Sequence, residues 1–210
     1  WPSYQYNWWA LFSLACSKKT LPDTSDCLPL SQFPFEVCGG LTTGEFYTIN
    51  VKNSPKGSNL KLLTSGSIEP NESLWGSQTT RFGGSRYLHP RVVGSSISSL
   101  QEGNDYPRSL QNKLRRSHRP KIIIASLTKN IEALVDERGE YQPSTATQVI
   151  FHREDDVEQL KKLCGLLLKH RAHFLFKHIL GYNAMHSSIS MEKSFLEHFP
   201  IPSGSLSSSS

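Results

Sequence analysis

Three β-branched runs, at 122–124, 131–135 and 147–151, lie so close together that they constrain this chain more than anything else in it. Branching at Cβ suits a pleated backbone and disfavours a helix, so each run predicts a strand, with 136–139 as a turn, and together a small sheet. Immediately afterwards the apolar period changes. Leu160, Leu163, Cys164, Leu167, Leu175 and Ile179 recur at helical spacing as far as Gly181, while Asp155 and Glu158 have the spacing of a capping box. A long amphipathic helix is predicted over 155–181. Ser190 is placed to cap a shorter helix through Phe195 and Leu196 that Pro200 ends, and a loop over 182–189 would join the two into an α-hairpin.

Upstream, Phe33, Phe35 and Val37 alternate, Gly39-Gly40 breaks the run, and Phe46, Tyr47, Ile49 and Val51 predict a second strand. Residues 53–59 read as a loop, and Leu60, Leu62 and Leu63 lead to Gly66. The Gly- and Ser-rich stretch 64–100, with scattered Trp75, Phe82 and Tyr87, predicts short strands between tight turns. From 95 to 119 apolar residues almost vanish, which predicts a surface loop. The expected class is α+β, a β-rich body of short strands (28–151) followed by a C-terminal α-hairpin (155–199). An aromatic segment, 1–27, would pack on an absent upstream domain, and a Ser-rich tail, 203–210, would be disordered.

With 210 residues, 37% of them hydrophobic and 20% charged, the chain is long enough to bury a core and too apolar for a disordered segment. Four cysteines without close pairing fit neither a zinc site nor a disulfide scaffold, so reduced thiols in a cytoplasmic protein are expected. The apolar run 8–16 lacks a basic lead and is followed by Lys18-Lys19, unlike a signal peptide, and no run reaches a membrane span. The chain begins at Trp1, as a fragment of a longer protein would. The net charge of +5 is unevenly spread: residues 91–130 hold 8 basic and 2 acidic side chains, residues 131–160 hold 2 and 8. Such a distribution bears on partners rather than on fold.

Catalytic patterns are missing: there is no Gly-x-Ser-x-Gly elbow, no phosphate-binding loop ending in Gly-Lys-Ser/Thr and no Gly-x-Gly-x-x-Gly. On the predicted helix His170 and His173 fall opposite the apolar stripe and His178 on it, so the three do not converge on a metal. Lys162, Lys169 and Lys177 share the polar face, as a phosphate-gripping stripe or a solvated surface. Glu154, Asp155, Asp156 and Glu158 sit where a helix N-terminus wants negative charge, and could otherwise hold a divalent cation. More suggestive is the band Arg81, Arg86, Arg91, Arg108, Arg115, Arg116 and Arg119, interleaved with Phe82, Tyr87, His89 and His118. Arginine exceeds lysine there, which favours directional contacts to phosphates and base edges, although an ordinary basic surface has the same composition.

Three segments settle the expectation: LPLSQFPFEVCGGLTTGEFYTI, then LLTSGSIEPNESLWGSQTTRFGGSRYLHPRVV, then KIIIASLTKNIEALVDERGEYQPSTATQVIF. In this order, and with the ending FLEHFPIP after LCGLLLKHRAHFLFKHI, they resemble the target-recognition region of adenine-specific DNA methyltransferases with a TaqI-like C-terminal specificity domain, over residues 28–202. The resemblance implies a domain that holds double-stranded DNA for an upstream catalytic domain. That domain, in the same chain or a separate subunit, would bind S-adenosylmethionine, flip an adenine and methylate it. The family includes fused restriction-modification polypeptides and phage-defence enzymes. The Asn-Pro-Pro-Tyr type catalytic motif is absent, so no cofactor, metal or catalytic residue is expected in these 210 residues. Cys164-Gly165 stands where relatives often carry Asn-Ser.

The expected DNA contacts are Arg81, Arg86, Arg91, Arg115, Arg116 and Arg119, with Tyr87, His89 and His118 secondary and Lys121 and Lys129 on phosphates. Trp75 and Gly76 would shape the loop presenting Arg81. Two rival classes remain: a protein-interaction module docking through its aromatic N-terminus and long helix, and a metal-dependent nuclease using Asp155 and Asp156.

Overall fold

A computed structural model describes residues 26–93, 108–169, 182–183 and 188–206, with 182–183 and 188–190 described by backbone alone. In chain order the strands are β1 (Cys27–Pro29), β2 (Phe35–Gly39), β3 (Val51–Asn53), β4 (Lys61–Leu63), β5 (Ile68–Glu69), β6 (Glu72–Ser73), β7 (Thr80–Phe82), β8 (Ser85–Tyr87) and β9 (Pro90–Val92). They continue with β10 (Lys121–Ala125), β11 (Leu127–Thr128), β12 (Ala133–Asp136), β13 (Tyr141–Pro143), β14 (Thr147–His152), β15 (Tyr182–Asn183), β16 (Ser188–Ser190) and β17 (Pro200–Pro202). Among the described residues the α-helices are α1 (Thr43–Thr48), α2 (Arg108–Arg116), α3 (Val157–Leu167) and α4 (Lys193–Glu197). The class is mixed α+β and β-rich, as expected.

The three β-branched runs form the sheet they predict, joined by β2 in the antiparallel order β12-β10-β14-β2. All five residues of β10 are buried, because both faces of the sheet are covered. Ile122 and Ile124 pack with Val37, Ile150 and the α3 residues Leu160, Leu163, Cys164 and Leu167. Ile123 and Ala125 turn the other way, onto Leu63, Ile68 and Leu134. Beyond that second layer lies a sheet of order β13-β4-β9-β3, parallel only between β13 and β4. A third cluster, Leu41, Ile49, Leu62, Val92, Leu110 and Leu114, binds α1 and α2 to this sheet. At the ends of the domain β1 pairs with β17, Leu28 opposite Ile201.

Several local expectations are corrected. Residues 43–48 are helix, not strand: Thr42 Oγ1 accepts from the Glu45 N–H at 3.2 Å while Glu45 Oε2 accepts from the Thr42 N–H at 2.8 Å. This reciprocal capping starts a turn that the alternation of Tyr47, Ile49 and Val51 hid. The expected surface loop over 95–119 contains α2, because Leu110 and Leu114, four residues apart, are both fully buried. Two apolar side chains on one face fix a nine-residue helix that composition alone cannot show. The N-cap of α3 is Asp156, which accepts from the Gln159 N–H at 3.0 Å, rather than Asp155.

The helix ends at Leu167 with Leu168 as its C-cap, so the continuous helix expected over 155–181 is interrupted there, and residues 170–181 lie outside the described residues. Downstream, the expected interhelical loop contains β15 and β16, which pair with each other, β16 pairing also with β11. Ser190 ends β16, and Glu192 stands at the N-cap of α4. The tail does not begin at 203: Ser203 N–H donates to the Asp26 carbonyl at 2.9 Å and Leu206 is buried in the main core. Residues 1–25 and 207–210 lie outside the described residues. Among the described residues no helix is long and apolar enough to cross a membrane.

Candidate nucleic-acid interface

Of the sequence-predicted contacts, Arg81 and Arg86 share a hairpin. Gly83-Gly84 turns β7 into β8 with φ of 53° and 84°, the left-handed pair that a two-residue turn between twisted strands requires. Alternation then sorts the side chains. Thr80 is buried, with its hydroxyl 2.7 Å from that of Thr64, and Phe82 packs 4.5 Å from Phe46. Tyr87, half-buried, meets Phe82 edge-on at 6.2 Å. Arg81 and Arg86, directly opposite each other, are left exposed on the outer face.

Arg115 is exposed on α2 and, with Arg108, lies on the side away from Leu110 and Leu114. Phe82 packs against the same apolar cluster that buries Leu110 and Leu114, so hairpin and helix are built around one core. Among the described residues Arg81, Arg86, Arg108 and Arg115 have no acidic partner within 4 Å.

The other predicted contacts, Lys129 excepted, are engaged within the fold. Arg91 is buried, with Nη1 donating to the Asn59 carbonyl at 2.6 Å, Nε to Ser54 at 3.0 Å and its guanidinium 4.9 Å from the Trp75 ring. It pins the 54–59 loop rather than facing a ligand. His89 rests edge-on against Trp75 at 5.0 Å, and Trp75 Nε1 donates to the Pro90 carbonyl at 2.9 Å. Arg116 is half-buried, 2.8 Å from Glu36 and 4.5 Å from the Phe151 ring centre. Arg119 holds Asp155 at 2.8 Å and donates to the His152 carbonyl at 3.0 Å. His118 is half-buried where its backbone crosses Gly139. Lys121 is fully buried and paired with Asp136, so it reaches no phosphate. Lys129 is exposed after β11, the strand that pairs with β16 rather than with the hairpin.

No protein-family model matches this chain, and neither does any curated protein. The reading therefore stands on the residues themselves. Sequence reasoning missed Tyr47, 70% exposed, whose ring meets Phe46 at 5.5 Å and so adjoins the aromatic group beneath the hairpin. The strand assigned to 46–51 concealed it. Arg108, seen in the arginine band, gains its place only once α2 is recognised as a helix.

Lys113 leaves the outer face of α2 for Glu45 at 2.7 Å and the Gly40 carbonyl at 2.8 Å. Burial alone would raise the Glu45 pKa, but the hydrogen bonds from Lys113 and Thr42 outweigh it and hold the carboxyl below its ordinary value. A cleft between α2 and the main sheet is lined by Cys38, Lys113, Arg116, Val149 and Phe151. Its cations do not fit the sulfonium and ammonium of S-adenosylmethionine. Asp155 and Asp156 are spent on Arg119 and the α3 cap, and no group of three potential metal ligands is found among the described residues.

Proposed function

We propose that this chain is a DNA target-recognition domain that holds a duplex for a linked S-adenosylmethionine-dependent adenine methyltransferase, in a cytoplasmic restriction-modification or phage-defence system. The observation that carries it is the set of four exposed arginines, Arg81, Arg86, Arg108 and Arg115, on a hairpin and a helix that share one apolar core. Arginines without acidic partners are what phosphate neutralisation needs, and each counterion they displace adds salt-dependent affinity. The order of the three quoted segments supports the same reading. The interaction-module rival is weakened, since α3 spends Leu160, Leu163, Cys164 and Leu167 on the chain's own core.

The test is fluorescence anisotropy of the chain with a random-sequence duplex at several salt concentrations. Affinity is expected to fall steeply with salt, and Arg108→Ala and Arg115→Ala to lower the logarithmic slope by about 1 each. No binding at low salt, with or without the catalytic partner, or a slope unmoved by both changes, overturns the reading.

A further inference from the structure

We infer that the β7–β8 hairpin enters the major groove and that Arg81 and Arg86 determine sequence specificity by reading guanine; this rests on the DNA-recognition reading above. The starting point is an unfavourable pairing. Arg81 and Arg86 are directly opposite in the ladder, which puts their Cβ atoms about 4.5–5.5 Å apart, and like charges so placed destabilise a two-stranded ribbon. Among the described residues no carboxylate relieves them. A negative or strongly accepting ligand would.

The ribbon is built to hold that pair still and forward. Its base is fixed by Thr80 on Thr64 and by the Gly76 N–H donating to the Leu88 carbonyl at 3.0 Å, and its inner face by Phe82 on Phe46. At the tip, a Cβ added to Gly83 or Gly84 would meet no atom within 4 Å, so the turn projects into open space. A two-stranded ribbon fits the major groove, about 12 Å wide, and not the minor groove, about 6 Å wide. Base pairs stack about 3.4 Å apart, a step that two adjacent cross-strand guanidinium groups can span. In that groove arginine donates both arms of its rigid planar fork to guanine O6 and N7, a fixed geometry that lysine, a compact charge on a flexible stem, reproduces less well. Arg108 and Arg115 on α2 would hold the backbone.

Selection from a randomised duplex library with the full 210-residue chain tests this, beside Arg81→Lys, Arg86→Lys and Arg115→Ala. The wild type is expected to enrich a motif containing neighbouring G·C pairs. Each lysine variant is expected to melt at the same temperature, keep the salt slope, lose preference at one of those positions and bind the selected site about 5- to 150-fold more weakly. Arg115→Ala is expected to weaken all sequences alike. A wild-type motif without guanine, or lysine variants that enrich the unchanged motif, overturns the hairpin assignment while leaving DNA recognition standing. A wild type with no salt-dependent DNA binding overturns both.

Discussion

Lys121 and Asp136 meet inside the protein, Nζ 2.5 Å from Oδ2, with 0% and 2% of their side chains exposed. The pair joins β10 to β12 and reaches further: Lys121 Nζ donates to the Ser117 carbonyl at 2.6 Å, while Asp136 accepts from the Glu140 and Tyr141 N–H groups at 2.9 and 3.0 Å. Burial pushes the Lys121 pKa below its ordinary value, and Asp136 works against that shift.

Removing one partner strands the other charge. Lys121→Met is therefore expected to cost about 3–5 kcal/mol in chemical denaturation. The double change Lys121→Met with Asp136→Leu should not be neutral, as such exchanges often are, because two turn N–H groups lose their acceptor. Wild-type stability in the double variant would refute this network.

Gly139 turns that same loop at φ 65°, where a Cβ would lie 2.1 Å from the His118 carbonyl oxygen. Gly139→Ala is expected to destabilise by about 2 kcal/mol or more. Gly44→Ala, in α1 with no atom within 4 Å, should instead stabilise by up to about 1 kcal/mol. Thermal melting of the two variants reads the contrast.

Glu45 makes stability fall in acid. Its folded pKa lies below the 4.5 of a free glutamate, so its contribution is present above that value and lost as pH drops through the folded pKa. Glu45→Gln should be less stable than the wild type at pH 7 and lose less between pH 7 and pH 3. Urea midpoints at both pH values check the sign; parallel losses would contradict it.

Arg91 and Arg115 should separate stability from binding. Arg91→Ala strands three carbonyls and a Trp75 face and is expected to cost about 2–3 kcal/mol, whereas Arg115→Ala should stay within about 0.5 kcal/mol. Urea denaturation of both variants, beside the anisotropy titration, distinguishes them.

Burial pushes the Cys164 thiol up to about 12. Alkylation at pH 8 should modify it on the order of a thousandfold more slowly than a free cysteine until the protein unfolds. Mass mapping of labelled peptides before and after denaturation reads this directly.

By itself the sequence determined the central sheet, the apolar face of α3 and the short-strand character of 64–93, because in each the apolar period or the Gly spacing is a local property of the chain. It also marked the arginine band. What only tertiary structure decided is which arginines are spent. Arg91, Arg119 and Lys121 read identically to Arg81, Arg86 and Arg115 in a charge count, yet backbone carbonyls 32 to 37 residues away claim the first of these three, Asp155 the second and Asp136 the third. Likewise α2 exists because Leu110 and Leu114 find Leu62 and Val92 across the fold. A cation's partner and a short helix's covering face are contacts at long sequence separation, and no window of residues contains them.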